Sequence, residues 1–145
     1  MTLRFLGSVE TSFLPRIADA LRDVARPGFA LEAREFGVFP SFHAPRVLWT
    51  GLVPGAPLDA IHVEIESRLA ATGAAAPDDK PFSPHLTLAR LDRTRGSEVR
   101  RWMAEHESFA AGPWPVAAFF LYASTLTPSG AVHRKIETYP LAAAE

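Results

Sequence analysis

Two short apolar segments have similar sequences, residues 1–7 (MTLRFLG) and residues 84–91 (PHLTLARL). The first is predicted to be a β-strand closed by Gly7, and the second resembles the same strand. Thr2 of the first segment aligns with Thr87 of the second, an offset of 85 residues. The two segments therefore predict two similar strands, and the shared offset predicts an internal duplication.

Each of these strands is followed by a predicted helix. Residues 11–26 place apolar side chains on one helical face, with Thr11 or Ser12 as the cap and Pro27 after the end. The counterpart helix covers residues 97–107 and has Ser97 as its cap. The helical faces predicted to pack inward are Leu14, Ile17, Ala18, Leu21, Val24 and Ala25 in the first helix, and Val99, Trp102, Met103 and His106 in the second.

Two further strands complete each half. Residues 29–39 and 45–52 have strand patterns in the first half, and the stretches 115–125 and 130–137 correspond to them. Each half is therefore strand, helix, strand, strand. We expect one domain over residues 1–145, of the α+β class, with pseudo-repeats at about 1–53 and 84–141.

An additional helix lies between the halves, opened by Pro57 and ended by Gly73. It precedes the strand that begins at His85, so a complete duplication also requires a strand and a helix before Met1. We therefore expect the chain to be N-terminally truncated, with the counterpart of His85 immediately before Met1. The buried stripe of the additional helix is predicted to be Leu58, Ile61, Ile65 and Leu69.

The composition narrows the function classes. The chain has 145 residues, 48% of them hydrophobic and 21% charged, which is ordinary for a globular domain. It has no secretion signal, no membrane-spanning apolar run and no cysteine, so thiolate nucleophiles and disulfides are excluded and a cytoplasmic location is expected. A net charge of −1 argues against a broad basic face for long nucleic acid, but it allows a short RNA end held by a few arginines.

His85 and Thr87 carry the candidate chemistry. Because side chains alternate across a strand, the imidazole and the hydroxyl lie on the same face. Two such pairs on either side of a cleft would suit phosphodiester cleavage without a metal ion or cofactor: one neutral histidine accepts a proton from water, and one protonated histidine donates to the leaving oxygen. Arg90, at the end of the same strand, is the candidate for holding phosphoryl oxygens. A structural, half-buried histidine is the alternative for His85.

The chain resembles the 2H phosphoesterase superfamily, most closely its bacterial RNA 2′,3′-cyclic phosphodiesterase branch, which is also called the 2′-5′ RNA ligase or LigT-like family. HLTLAR is similar to the second signature motif and TLRFLG to the first, while FPSFHAPRVLWTGL and FFLYASTLTPSGAVHRKIETYPL resemble the segments that follow the motifs. The resemblance implies two pseudo-symmetric lobes of antiparallel sheet, with helices on the outer faces and a central cleft.

The resemblance also implies an activity and its residues. Members hydrolyse RNA 2′,3′-cyclic phosphate ends to 2′-phosphates, and some join or cleave 2′-5′ linkages. His85 matches the proton acceptor, Thr87 and Arg90 match phosphate-binding positions, and Thr2 matches the threonine of the first motif. The proton-donating histidine of that motif would sit directly before Met1, and His133 stands where the family commonly has an aromatic residue.

Other interpretations remain open. The chain could be a module that binds RNA ends or nucleotides without turnover, or a 2H phosphodiesterase for another cyclic phosphate. Arg4 is a further phosphate-binding candidate, because alternation would place it on the face of Thr2, and His43 could replace the missing proton donor. Loss of a strand and helix would expose apolar sheet surface, so we expect a homodimer. Candidates for stacking on a terminal base are Phe42, Phe82 and Tyr122.

Overall fold

The structure is a computed structural model that describes residues 1–76, 78 and 80–143. It has three α-helices and six β-strands in these residues, and the chain enters the first helix through a 3₁₀ turn at Thr11–Phe13. The elements are α1 (Leu14–Arg22), β1 (Phe29–Phe39), β2 (Val47–Val53), α2 (Gly55–Thr72), β3 (His85–Arg90), α3 (Gly96–Glu105), β4 (Ala110–Val116), β5 (Ala118–Thr127) and β6 (Gly130–Pro140).

The α+β class is confirmed, and the strand pairings with a described register are antiparallel. The chain divides into two units, each assembled from three separate segments. Unit 1 contains β1, β2, β3 and α3, whereas unit 2 contains α1, most of α2, β5 and β6. Unit 1 consists of Met1–Leu3, Ala30–Leu58 and Pro81–Trp114, and unit 2 consists of Arg4–Phe29, Asp59–Lys80 and Pro115–Glu145.

This division separates elements that are neighbours in sequence. Unit 1 combines the strand pair of the first predicted repeat with the helix of the second, and unit 2 combines the helix of the first with the strand pair of the second. The duplication itself stays a prediction. No helix among the described residues is long and apolar enough to cross a membrane.

Unit 1 is built on a four-stranded sheet with the order β3-β2-β1-β4. One face of this sheet packs against α3, where Val99 is buried with Val38 of β1 and Leu48 of β2. Burial of these aliphatic side chains removes apolar surface from water, which stabilises the contact between α3 and the sheet. The hydrophobic residues that pack around this cluster are Phe36, Phe42, Ala89, Leu91 and Met103.

The start of α3 differs from the sequence prediction. Its N-cap is Arg95, whose backbone N–H donates a hydrogen bond to Glu98 Oε2 at 2.8 Å, so the predicted cap at Ser97 is wrong. The acidic side chain at the third helical position satisfies a backbone donor that the helix leaves open. Gly96 lies directly against the backbone of Phe42, since a Cβ there would be 1.8 Å from the Phe42 carbonyl oxygen.

Unit 2 contains the β5–β6 hairpin, the buried stripe of α1 and the buried stripe of α2 from Ile61 onward. Phe119 and Tyr139 stack across the hairpin with ring centroids 4.8 Å apart, and burial raises the pKa of Tyr139 to about 12. Arg22 of α1 donates to Glu137 of β6 at 2.6 and 2.9 Å, and this hydrogen-bonded arginine lowers the pKa of the Glu137 carboxyl. The predicted stripe of α2 is confirmed, because Leu58, Ile61, Ile65 and Leu69 are all buried.

The N-terminal segment, residues 1–9, differs most from the sequence prediction. Residues 1–9 were predicted to contain a strand that Gly7 closes, and they form neither a strand nor a helix. A strand is stable only when a neighbouring strand accepts and donates its backbone hydrogen bonds, and no such ladder is formed by these residues. Gly7 has a φ of 71°, which is a turn conformation rather than an extended one.

Two smaller differences concern the ends of elements. The first helix ends at Arg22 and not directly before Pro27, and the backbone N–H of Val24 donates to the Leu21 carbonyl in the turn that follows. The stretch 115–125 is also not one strand, because β4 ends at Val116 and β5 begins at Ala118. The separate strand β4 was missed because Pro113 and Pro115 remove backbone donors and disguise the strand pattern.

Substitution of Gly96 is expected to destabilise the fold. In Gly96→Ala the new methyl group meets the Phe42 backbone, and overpacking of this kind lowers the free energy of unfolding by about 1–3 kcal/mol, although alanine is the better helix former. Urea unfolding monitored by tryptophan fluorescence measures the change.

The matched control is Ser97→Ala, one residue further along the helix. Ser97 is exposed and is not the cap, so this variant should change the free energy of unfolding by less than about 0.5 kcal/mol. A loss for Ser97→Ala as large as that for Gly96→Ala would contradict the assignment of the cap.

Candidate functional site

The candidate site is built on β3, which is one of the two edge strands of the sheet in unit 1. His85 begins this strand and lies opposite Gly51, and Thr87 lies opposite Trp49 of β2. Residues that face each other across two antiparallel strands lie on the same side of the sheet. His85, Thr87 and Trp49 therefore share one face, which is the face opposite the α3 cluster.

A register shift in β3 brings Arg90 to this face. Leu48 pairs with Ala89 and Trp49 pairs with Thr87, so Leu88 is an extra residue on β3. In a regular strand the side chains of residues 85 and 90 point to opposite faces. Because of the extra residue, Arg90 instead lies opposite Val47 and joins the face of His85 and Thr87.

Two aromatic rings hold the imidazole of His85. The ring of Phe39 lies 5.0 Å from it at an interplanar angle of 78°, and the indole of Trp49 lies 5.9 Å away at 55°. The indole rests on Gly37, where a Cβ would be 2.0 Å from Trp49 Cζ2. A side chain at position 37 would thus displace the indole and one wall of the His85 site.

The orientation of His85 fixes its tautomer. Its Nδ1 lies 2.6 Å from the carbonyl oxygen of Ser83, and a carbonyl oxygen only accepts hydrogen bonds. Nδ1 therefore carries the proton when the imidazole is neutral, and Nε2 is left with the lone pair. Nε2 is the nitrogen that can accept a proton from water.

Thr87 and Arg90 are available to a ligand. Both residues are exposed, and neither side chain has a hydrogen-bond or ion-pair partner in the described part of the chain. A hydroxyl group and a guanidinium group on one face, next to an imidazole, can donate several hydrogen bonds to the oxygens of one phosphate.

The first-motif candidates lie in different surroundings. Thr2 is exposed and belongs to unit 1, within the segment that forms no strand. Arg4 belongs to unit 2, where its guanidinium lies 2.8 Å from Glu66 and 2.8 Å from Asp78 and also donates to the Ala76 carbonyl. Its side chain is only 9% exposed, so these carboxylates occupy the group that was expected to contact phosphate. The expected common face of Thr2 and Arg4 does not exist, because it required a strand.

The other candidates are distributed over both units. His43 lies on the loop between β1 and β2, where its backbone N–H donates to Ser41 at 3.3 Å. Phe42 packs into the α3 cluster under Arg100, at 4.3 Å from the ring centroid, and Phe82 is half-buried. Tyr122 of β5 is 51% exposed and keeps an accessible ring.

Phe39 and Trp49 are the site residues that the sequence analysis missed. The glycines around Trp49 are the sequence signal for its position. Gly51 is two residues further along β2 and Gly37 lies opposite Trp49 on β1, so the indole has space to lie flat on the sheet. Within the described residues, no group of three or more histidine, aspartate or glutamate side chains is arranged to hold a metal ion.

Comparisons with known proteins identify the family. Residues 1–127 match the 2′-5′ RNA ligase superfamily, and the chain belongs to this family. It is 32% identical over 138 residues to the RNA 2′,3′-cyclic phosphodiesterase of Aeropyrum pernix, a match that covers 94% of this chain and 78% of the relative. It is 31% identical over 139 residues to the protein of the same name from Archaeoglobus fulgidus, covering 96% and 77%.

Solved structures agree with this assignment. A crystal structure of a protein from Thermus thermophilus has a TM-score of 0.76 at 26% identity and covers 99% of this chain and 78% of that chain. The structure of E. coli LigT complexed with 3′-AMP has a TM-score of 0.71 at 23% identity, covering 97% and 75%, which shows that the fold is shared. The resemblance inferred from the two motifs is thereby confirmed.

The tautomer of His85 is directly testable. Because Ser83 accepts from Nδ1, long-range ¹H–¹⁵N correlation spectra of the neutral imidazole should show a protonated Nδ1 and an unprotonated Nε2. His106 provides an internal reference, since its Nδ1 lies 2.7 Å from the Trp102 carbonyl and should give the same pattern. A protonated Nε2 in His85 alone would contradict the proposed orientation.

Proposed function

We propose that the protein hydrolyses RNA 2′,3′-cyclic phosphate ends to 2′-phosphates without a metal ion, with the joining of 2′-5′ linkages as a related activity. The observation that carries the proposal is the placement of His85, Thr87 and Arg90 on one face of β3. The names of the relatives support this substrate class. Both are RNA 2′,3′-cyclic phosphodiesterases, and their sequences match most of this chain.

In this proposal His85 is the general base. Its Nε2 takes a proton from water, the water oxygen bonds to phosphorus, and the bond between phosphorus and O3′ breaks to leave a 2′-phosphate. Thr87 and Arg90 hold the non-bridging oxygens, whose negative charge increases in the transition state. O3′ leaves with a proton from a second group, a role that the resemblance assigns to a histidine of the first motif.

The test is hydrolysis of a short RNA that ends in a 2′,3′-cyclic phosphate, in buffer that contains EDTA. His85→Gln should lower the rate by about 10²- to 10⁴-fold, because it removes the general base. Arg90→Gln should lower kcat/KM by about 10- to 100-fold through loss of charge-assisted hydrogen bonds.

The matched control is His106→Gln. His106 is an exposed histidine of unit 1 with the same Nδ1-to-carbonyl contact, but it stacks on Trp102 at 4.3 Å and lies outside the His85 face. The hydrolysis rate of the His106→Gln variant should equal that of the unchanged chain. Equal rates for His85→Gln and His106→Gln, or complete inhibition by EDTA, would contradict the proposed mechanism.

A second candidate is a module that binds RNA ends without turnover. It is favoured by the irregular conformation of residues 1–9, which do not present Thr2 on a strand as the first motif requires. Binding of the RNA end with no hydrolysis in any variant would select this function. Hydrolysis of a different cyclic phosphate, and not of the RNA end, would instead select another 2H activity.

Two further expectations accompany the proposal. The homodimer and the cytoplasmic location both stay predictions. A dimer is consistent with large apolar side chains on the surface, such as Phe5, which is 73% exposed.

A further inference from the structure

One face of the β5–β6 hairpin combines exposed aromatic and basic side chains. The cross-strand register places Tyr122 opposite Lys135 and Ser124 opposite His133 on this face, while Phe119, Leu121 and Tyr139 are buried on the other. We call it the Tyr122 face. It consists of Phe120, Tyr122, Ser124, Leu126, Ala131, His133, Lys135 and Thr138.

The charge of this face has one sign. Glu137 is the only acidic residue of the hairpin, and it lies opposite the buried Leu121, on the other side of the sheet. It is also neutralised by Arg22 at 2.6 and 2.9 Å. Lys135 and His133 therefore face solvent without a carboxylate from their own hairpin, an arrangement that attracts anions.

The aromatic rings are held in a fixed arrangement. The ammonium group of Lys135 lies 4.8 Å from the centroid of Phe120, and the rings of Phe120 and Tyr122 meet edge to face at 6.3 Å and 62°. Phe120 thus supports both neighbours. Tyr122, which is 51% exposed, keeps an accessible ring on which a planar base can stack.

His133 is the second basic side chain on the Tyr122 face. Its Nδ1 lies 2.7 Å from the hydroxyl oxygen of Ser124, which fixes the orientation of the imidazole. Nε2 is then the nitrogen that a ligand can meet. A stacking ring beside a row of two basic side chains matches the alternation of base and phosphate along a single strand.

We propose that the Tyr122 face binds single-stranded RNA, with a base on Tyr122 and backbone phosphates at Lys135 and His133. The inference rests on the proposed function, because RNA is the polymer that carries the cyclic phosphate end. A second copy of this chain is a poorer occupant, since two identical basic faces repel each other and only Leu126 contributes a strongly exposed aliphatic side chain.

The test is binding of a fluorescently labelled single-stranded RNA with a 3′-hydroxyl end, measured by anisotropy with the whole chain. This ligand cannot be hydrolysed as a cyclic phosphate, so the result does not depend on turnover. Tyr122→Ala should weaken binding by about 5- to 100-fold, and Tyr122→Trp should restore it. Lys135→Gln should reduce the slope of log affinity against log salt by about 0.7.

The matched control is Val132→Ala. Val132 is 57% exposed on the same hairpin but pairs with Thr125 on the opposite face, so its affinity for RNA should be unchanged. Unchanged binding by Tyr122→Ala would overturn the inference. Equally tight binding of duplex RNA would also overturn it, because the bases of a duplex cannot stack on a side chain. Loss of a dimer in Tyr122→Ala without loss of RNA binding would overturn it as well.

The two proposals fail separately in this design. Tyr122-dependent binding supports the Tyr122 face even when no cyclic phosphate is hydrolysed, a result that removes only the proposed reaction. Normal hydrolysis together with binding that does not depend on Tyr122 supports the proposed reaction and excludes the Tyr122 face as an RNA-binding surface.

Discussion

The pairing of β3 with β2 is the constraint on which the candidate site depends. A shift of one residue in a strand moves every side chain to the other face of the sheet. The extra residue Leu88 causes such a shift within β3. As a result, Ala89 packs toward α3 while Arg90 lies on the face of His85. One strand can thus complete a hydrophobic core and place the guanidinium group of Arg90 on the face of His85 and Thr87.

The surroundings of His85 show how packing fixes chemistry. Phe39 and Trp49 limit the positions of the imidazole, and Gly37 leaves the space that the indole occupies. The Ser83 carbonyl then determines which nitrogen carries the proton. Together these neighbours give the imidazole of His85, at the start of its strand, a defined orientation with Nε2 left for a ligand.

The distribution of charge explains how a chain with a net charge of −1 can carry local basic surfaces. Several of its acidic residues form ion pairs with arginines, as in Arg4 with Glu66 and Arg22 with Glu137. Arg90 on β3 and Lys135 on the Tyr122 face have no such carboxylate partner in the described residues. Local basic surfaces therefore coexist with a nearly neutral total, which explains why net charge excluded only a broad nucleic-acid face.

Sequence alone determined the elements whose periodicity is long or whose motif is distinctive. The stripe from Leu58 to Leu69, the strands β1 and β2 and the shared face of His85 and Thr87 follow from side-chain spacing, which is a local property of the backbone. The tertiary structure decided whether residues 1–9 form a strand, where Arg90 points and which groups surround Arg4. These three features depend on hydrogen-bond partners and on a strand register that residues distant in sequence determine. A local sequence pattern therefore cannot predict them.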